Sequence, residues 1–120
     1  MMHVHDSLAI AGKAVSGSAG RAASAIVHDS ADVRLVVFRL DSDHTVAMHT
    51  STSTVVLSVM SGTGVISGPV NGEIQDVTVS AGSVVTYEPN ELHGMRAPHG
   101  PFVVLAAITP RPGGRTTPAA

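Results

Sequence analysis

The chain has 120 residues, a net charge of −2 at pH 7 and no cysteine. This length is enough for one domain with its own core, and the lack of cysteine excludes disulfides and thiolate metal sites. The sequence has no basic block and no apolar run long enough to span a bilayer, so we expect a cytoplasmic protein without nucleic-acid or membrane partners.

The first predicted element is a short helix near the N-terminus. Asp6 or Ser7 can cap it, because their side-chain oxygens accept hydrogen bonds from free amides of the first turn. The apolar residues Leu8 and Ile10 follow at helical spacing. Residues 1–21 are therefore predicted to form a helix and an arm that precede the main domain.

From residue 22 the pattern is typical of β-structure, with short runs of strand-forming residues separated by turn residues. The predicted strands cover 25–28, 33–40, 45–49, 55–60, 64–67, 73–79, 84–87, 92–96 and 102–109. Many short, evenly spaced strands predict an all-β antiparallel sandwich or closed barrel. We expect this domain to span 22–109, and the Pro-, Gly- and Thr-rich residues 110–120 to form a disordered tail.

Two histidines lie in segments that glycine and turn residues frame. The first segment runs from Asp43 through His49 to Gly62, and the second runs from Gly82 to His93. Their layout resembles the two sequence motifs of the cupin superfamily. The resemblance covers about residues 22–109 of the chain and implies a small RmlC-like cupin. Such a domain is an antiparallel β-barrel, also called a double-stranded β-helix or jelly roll, with a site inside.

The first motif is degenerate in this chain. His49 falls at its first histidine, but Ser51 falls at its second histidine and Val55 at its glutamate. In cupins that bind a metal, those three residues and the histidine of the second motif commonly coordinate one ion. The resemblance therefore implies only His49 and His93 as ligands of a weak divalent transition metal site. Two imidazoles suit Zn, Ni, Fe or Cu and do not select among them.

A third metal ligand could come from two other residues. Glu91 lies two positions before His93 and shares its face if that segment is extended. His99 lies in a turn, where the sequence does not indicate its direction. The residues predicted to line the pocket are Ser51, Val55, Leu57, Met48 and Tyr87. For Met48, adaptable packing in the core is the alternative interpretation.

Two functions remain open from the sequence. The first is a cupin of undefined pathway that binds a small organic ligand in the barrel, with or without a weak metal held by His49 and His93. The alternative is a metal-dependent cupin enzyme of oxygenase or isomerase type that acts on a small molecule. The loss of the motif Glu and His slightly favours the binding module, and whether the protein is an enzyme stays open.

The sequence also predicts a homodimer. Strands 33–40 and 102–109 are apolar on both faces apart from Arg34 and Arg39. A barrel wall needs cover on one face only, so apolar residues on the outer face indicate a partner.

Overall fold

The computed structural model describes residues 1–17 and 19–112. The elements in chain order are α1 (Ser7–Lys13), β1 (Ala23–Asp29), β2 (Arg34–Leu40), β3 (Thr45–His49), β4 (Thr54–Ser61), β5 (Thr63–Val70), β6 (Glu73–Ser80), β7 (Val84–Tyr87), β8 (His93–Arg96) and β9 (Phe102–Thr109). Asp6 caps α1, because its side chain accepts a hydrogen bond from the amide of Ala9. Within the described residues, no helix is long and apolar enough to cross a membrane.

The strands form two antiparallel sheets. The five-stranded sheet has the order β1-β2-β9-β4-β7, and the four-stranded sheet has the order β3-β8-β5-β6. Asn71 and Gly72 form the tight turn between β5 and β6, with φ values of 52° and 83°. The two sheets pack face to face, and the predicted all-β antiparallel barrel with one short N-terminal helix is confirmed.

The core lies between the two sheets. Along β4, Val55, Leu57 and Val59 are buried in alternation, as the period of a strand requires. Phe102 of β9 is completely buried and packs on the backbone of β5 at Gly64, where a Cβ atom would overlap the Phe102 ring. A glycine at this position therefore lets the two sheets approach each other.

Helix α1 covers the outer face of the five-stranded sheet. Ala11 of α1 packs with Val37 of β2 and Val103 of β9 in a second buried cluster. Arg39 ties the helix to the sheet, because its guanidinium donates a hydrogen bond of 2.6 Å to the carbonyl oxygen of Ala11. Two of the outer apolar residues that led us to predict a homodimer, Val37 and Val103, are thus covered within the chain, and the homodimer itself stays a prediction.

The chain after β9 returns along the barrel. Ser53, which is buried, donates a hydrogen bond of 2.6 Å to the carbonyl oxygen of Pro110. Arg111 makes two hydrogen bonds to the carboxylate of Asp29, at 2.6 and 3.1 Å. These contacts hold Pro112 against the barrel. The rest of the predicted tail, 113–120, lies outside the described residues.

Candidate functional site

His49 and His93 meet at one end of the barrel. They are direct partners across the β3–β8 pair, and their imidazole centroids are 4.2 Å apart with an interplanar angle of 56°. His93 is buried, with 6% of its surface exposed, whereas His49 is exposed. The pair therefore extends from the barrel interior to its mouth.

A β-bulge in β3 turns His49 toward the interior. Val46 pairs with Met95. In a regular antiparallel ladder, Met48 would therefore pair with His93, which lies two residues before Met95 in β8. The observed partner of His93 is His49, and β3 thus contains one extra residue between Val46 and His49. The bulge reverses the alternation, which brings His49 to the same side as Val46.

The bulge also corrects the prediction for Met48. This side chain was expected in the pocket or the core, but it is 41% exposed and does not line the cavity. It lies over Gly94 on the outer side of β8. A Cβ atom on Gly94 would lie 2.7 Å from the Met48 sulfur and 2.9 Å from the carbonyl oxygen of Val46. The glycine therefore provides the space that the bulged backbone occupies.

Backbone carbonyls orient both imidazoles. Nδ1 of His93 lies 2.8 Å from the carbonyl oxygen of Glu91, and Nδ1 of His49 lies 2.8 Å from the carbonyl oxygen of Ala47. A carbonyl oxygen only accepts, so Nδ1 carries the proton of each neutral ring and Nε2 keeps its lone pair. Burial lowers the pKa of His93, and the neighbouring His49 acts in the same direction. The lowered pKa favours the neutral form of His93 at pH 7, in which Nε2 keeps a lone pair that can accept a hydrogen bond.

A cavity of about 440 Å³ opens beside this pair. Its apolar walls include Phe38, Val46, Val55, Leu57, Met95 and Ile108. Its polar lining comes from His93 and the segment 49–52, which contains Ser51, so the polar groups share one end of the cavity. Among the residues that the structure describes, no Asp, Glu, Lys or Arg lines this space. Pro112 closes part of the wall.

Tyr87 lies behind His93 rather than on the wall of this cavity. Its ring stacks on the His93 ring with centroids 4.6 Å apart, and its hydroxyl donates a hydrogen bond of 2.9 Å to the carbonyl oxygen of Ser67. Burial raises the pKa of Tyr87 to about 12, so the phenol stays protonated. The sequence predicted that Tyr87 lines the same pocket as His49 and His93, whereas in the structure it lines a second cavity.

Both residues predicted as a third metal ligand lie elsewhere. The Glu91 carboxylate accepts a hydrogen bond of 2.7 Å from the amide of Glu88 and lines the second cavity. Glu91 therefore contacts the histidine pair only through its backbone carbonyl oxygen, which binds Nδ1 of His93. His99 is exposed in a turn beyond the far end of β8. Within the described part of the chain, no three His, Cys, Asp or Glu side chains are arranged to hold one ion. With Ser51 and Val55 at the other motif positions, this donor set does not fit a resident metal centre of three protein ligands.

The structure also brings together three histidines for which the sequence predicted no common site. The rings of His3, His5 and His28 have centroids between 5.9 and 6.3 Å from one another. The spacing of His3 and His5 is a local signal, because residues two apart share a face of an extended chain. The approach of His28 depends on how the arm folds along β1, which no local pattern shows.

Solved structures resemble this fold closely. An RmlC-like cupin from Desulfovibrio desulfuricans has a TM-score of 0.73 and 23% identity, over 92% of this chain and 98% of that one. An uncharacterized conserved protein with a double-stranded β-helix domain from Klebsiella pneumoniae has a TM-score of 0.71 and 21% identity, over 88% of each chain. DMSP lyase DddQ from Ruegeria pomeroyi has a TM-score of 0.67 and 14% identity, over 82% of this chain and 52% of that one.

These similarities establish architecture. No protein-family model matches the sequence, and no curated protein matches it. The structural neighbours range from proteins without a stated activity to a lyase, so the shared fold does not assign a reaction. The two sheets, their strand order and these neighbours agree with the motif resemblance in the sequence: the chain has the cupin fold, the double-stranded β-helix of the RmlC-like proteins.

Proposed function

We propose that this protein binds a small, largely apolar and uncharged organic molecule inside its barrel, with one polar group directed at His93 and His49. The observation that carries the proposal is the cavity of about 440 Å³ with apolar walls and its polar groups collected at one end. Binding sites for small molecules are typically about 300–1,000 Å³ and combine such walls with a few convergent polar groups.

The chemistry of the pair defines the polar group of the ligand. Neutral His93 offers an Nε2 lone pair, because its Nδ1 proton is bound to the carbonyl of Glu91. A hydroxyl or N–H group would donate to this nitrogen. A charged ligand would meet no opposite charge among the described lining residues, and burying an unpaired charge is costly. A neutral hydrogen-bond donor on an apolar body is therefore the class of ligand that suits this site.

The test uses benzyl alcohol and toluene, which differ in one hydroxyl group. Binding to the wild-type protein is followed by NMR, through the imidazole signals and the affinity. A single net hydrogen bond is worth about 0.5–1.5 kcal/mol, so benzyl alcohol should bind roughly two- to twelvefold more tightly than toluene, after correction for their own hydration. The variant His93→Phe keeps a ring but lacks the acceptor, and it should lose this preference.

His99→Ala is the matched control, because it removes an exposed histidine at the other end of the barrel. It should retain the wild-type preference for benzyl alcohol. If neither probe binds, or if both bind without perturbing the His93 signals, the proposal is wrong.

A separate measurement addresses the metal-dependent alternative. Zn²⁺ is titrated into the variant H3A/H5A, which lacks the arm histidines that could bind the ion adventitiously, and then into the same variant with His49→Ala. We expect benzyl alcohol to bind in the presence of a chelator. Tight Zn²⁺ binding that His49→Ala removes, together with probe binding that requires the ion, would favour the metal-dependent site.

A further inference from the structure

We propose that residues 110–112, here called the strap, close the entrance of the cavity at the histidine pair, and that Arg111 keeps the strap in place. This inference rests on the proposed function and deepens it, because it concerns how a ligand enters and leaves the same cavity. Arg111 does not line the cavity, whereas the next residue, Pro112, does. Arg111 is therefore a positioning residue that acts through Pro112.

The entrance of the cavity lies between two pieces of chain outside the strands. Among the described residues that line the cavity, all belong to strands except the segment 50–52 and Pro112. Strands are held by the hydrogen bonds of their ladders and open less readily than loops, so a ligand would pass between that segment and Pro112. Thr50 and Thr52 are exposed and Pro112 is half-buried, as expected for residues with one side toward the cavity and the other toward solvent.

Strand pairing places the anchor of the strap at this same end of the barrel. Asp29 of β1 is the Cα partner of Arg34 of β2, and Arg34 is the partner of Ile108 of β9. Direct partners share a face of a sheet, and Ile108 lines the cavity, so Asp29 lies on the cavity side of the five-stranded sheet. Arg111 follows the end of β9 and reaches across β2 to Asp29, which brings Pro112 to the cavity.

Side chains hold the strap at both ends of its short course. The buried residue Ser53 donates a hydrogen bond of 2.6 Å to the carbonyl oxygen of Pro110. Arg111 donates from Nε and Nη2 to the two carboxylate oxygens of Asp29, at 2.6 and 3.1 Å. The Arg111 side chain is 33% exposed, so salt can weaken this ion pair while the buried bond at Ser53 persists. The strap can thus swing away from the cavity about Pro110 when the ion pair opens.

The opposite side of the entrance is held by the backbone. The amide of Asn90 donates a hydrogen bond of 2.6 Å to the carbonyl oxygen of Ser51, which ties the segment 50–52 to the turn before β8. The Ser51 hydroxyl also accepts a hydrogen bond of 3.1 Å from the amide of Ser53. The strap is therefore the side of the entrance that opens.

The test measures the rates at which benzyl alcohol binds to and leaves the protein, by NMR exchange measurements on the wild type and on Arg111→Ala. Both rates should rise about two- to fivefold in the variant, the range expected for the loss of one exposed ion pair. The dissociation constant should change less than either rate, because a wider entrance accelerates binding and release together. The loss of a contact with the ligand would instead accelerate release alone.

Sodium chloride gives a second readout, which a merely structural role of Arg111 would not move. Benzyl alcohol is uncharged, so salt does not screen its encounter with the protein. Raising the salt concentration from about 0.05 M to about 0.5 M should accelerate both rates in the wild type, because it screens the pair of Arg111 and Asp29. The same change should have little effect in Arg111→Ala, which lacks that pair.

Arg34→Ala is the matched control. Arg34 donates to the same carboxylate, at 3.4 and 3.2 Å, but it belongs to β2 and not to the strap. Its removal takes one positive charge from the same end of the barrel and leaves the pair of Arg111 and Asp29. This variant should keep the wild-type rates and their dependence on salt.

Unchanged rates in Arg111→Ala would overturn the inference, and so would faster release without faster binding. Wild-type rates that do not respond to salt, or an equal acceleration in Arg34→Ala, would overturn it as well. In each of these cases wild-type binding of benzyl alcohol would still support the proposed function. If the wild-type protein does not bind benzyl alcohol, the proposed function fails first and the inference fails with it.

Discussion

The substitution Gly94→Ala tests how the bulge in β3 controls the site. The new Cβ atom would lie 2.9 Å from the carbonyl oxygen of Val46 and 3.1 Å from the amide nitrogen of Met48, in addition to the Met48 sulfur at 2.7 Å. The sulfur can move away because it ends a flexible side chain, but the two backbone atoms belong to the bulge. The variant must therefore shift β3 away from β8 just where His49 is turned inward.

Two opposing effects determine the expected loss of stability. Overpacking a tightly packed position costs about 1–3 kcal/mol. Gly94 is not in the left-handed region, so alanine can adopt its backbone conformation. Alanine also lowers the conformational entropy of the unfolded chain, which stabilises the folded protein by about 0.4–1 kcal/mol. The net destabilisation should be about 1–2 kcal/mol, which lowers the midpoint of thermal unfolding by about 4 °C or more. The His49 imidazole signal should also shift, because the ring loses its 4.2 Å contact with His93.

Calorimetry and histidine NMR measure these two outcomes on the same samples. Gly12→Ala is the matched control, because Gly12 lies within α1 and has no atoms within 4 Å of the added Cβ; we expect it to stabilise the protein by up to about 1 kcal/mol. Adding Met48→Ala to Gly94→Ala removes only the contact with the sulfur, so the double variant should stay destabilised. Wild-type stability and an unshifted His49 signal in Gly94→Ala would refute the role of the bulge.

Three further predictions concern the barrel that carries the site. Gly64→Ala should lower the free energy of unfolding by roughly 1–3 kcal/mol in chemical denaturation, because its Cβ overlaps the ring of the buried residue Phe102; wild-type stability would contradict this packing. Ser53→Ala removes a buried donor from the carbonyl oxygen of Pro110 and should cost about 1 kcal/mol in the same assay, and no change would mean that this bond is dispensable. Hydrogen bonds from two arginines lower the pKa of Asp29 from 3.8 to about 2, so its ionised form stabilises the fold above about pH 4, and this contribution should disappear as the pH falls from about 4 to about 2. Asp29→Asn should flatten the stability profile in that pH range, and an unchanged profile would argue against the ion pair.

The sequence alone determined the elements of this fold, because the signals for them are local. Alternating strand-forming residues indicated the β-strands, and Asp6 or Ser7 indicated the start of α1. The resemblance to the cupin motifs singled out His49 and His93, which the structure brings into contact. Each of these features depends on residues within a few positions of one another or on a motif with regular spacing.

The folded structure was needed to show which side chains face the cavity. Strict alternation would point Met48 inward with Val46, but an extra residue in β3, accommodated by Gly94 on the facing strand, exchanges Met48 for His49. The direction of the Glu91 carboxylate likewise follows from its bond to a turn amide, which only the folded loop shows. β-Bulges, hydrogen bonds within turns and the docking of α1 depend on contacts with residues that are distant in the sequence. The hydrophobic period of a single strand does not identify those residues.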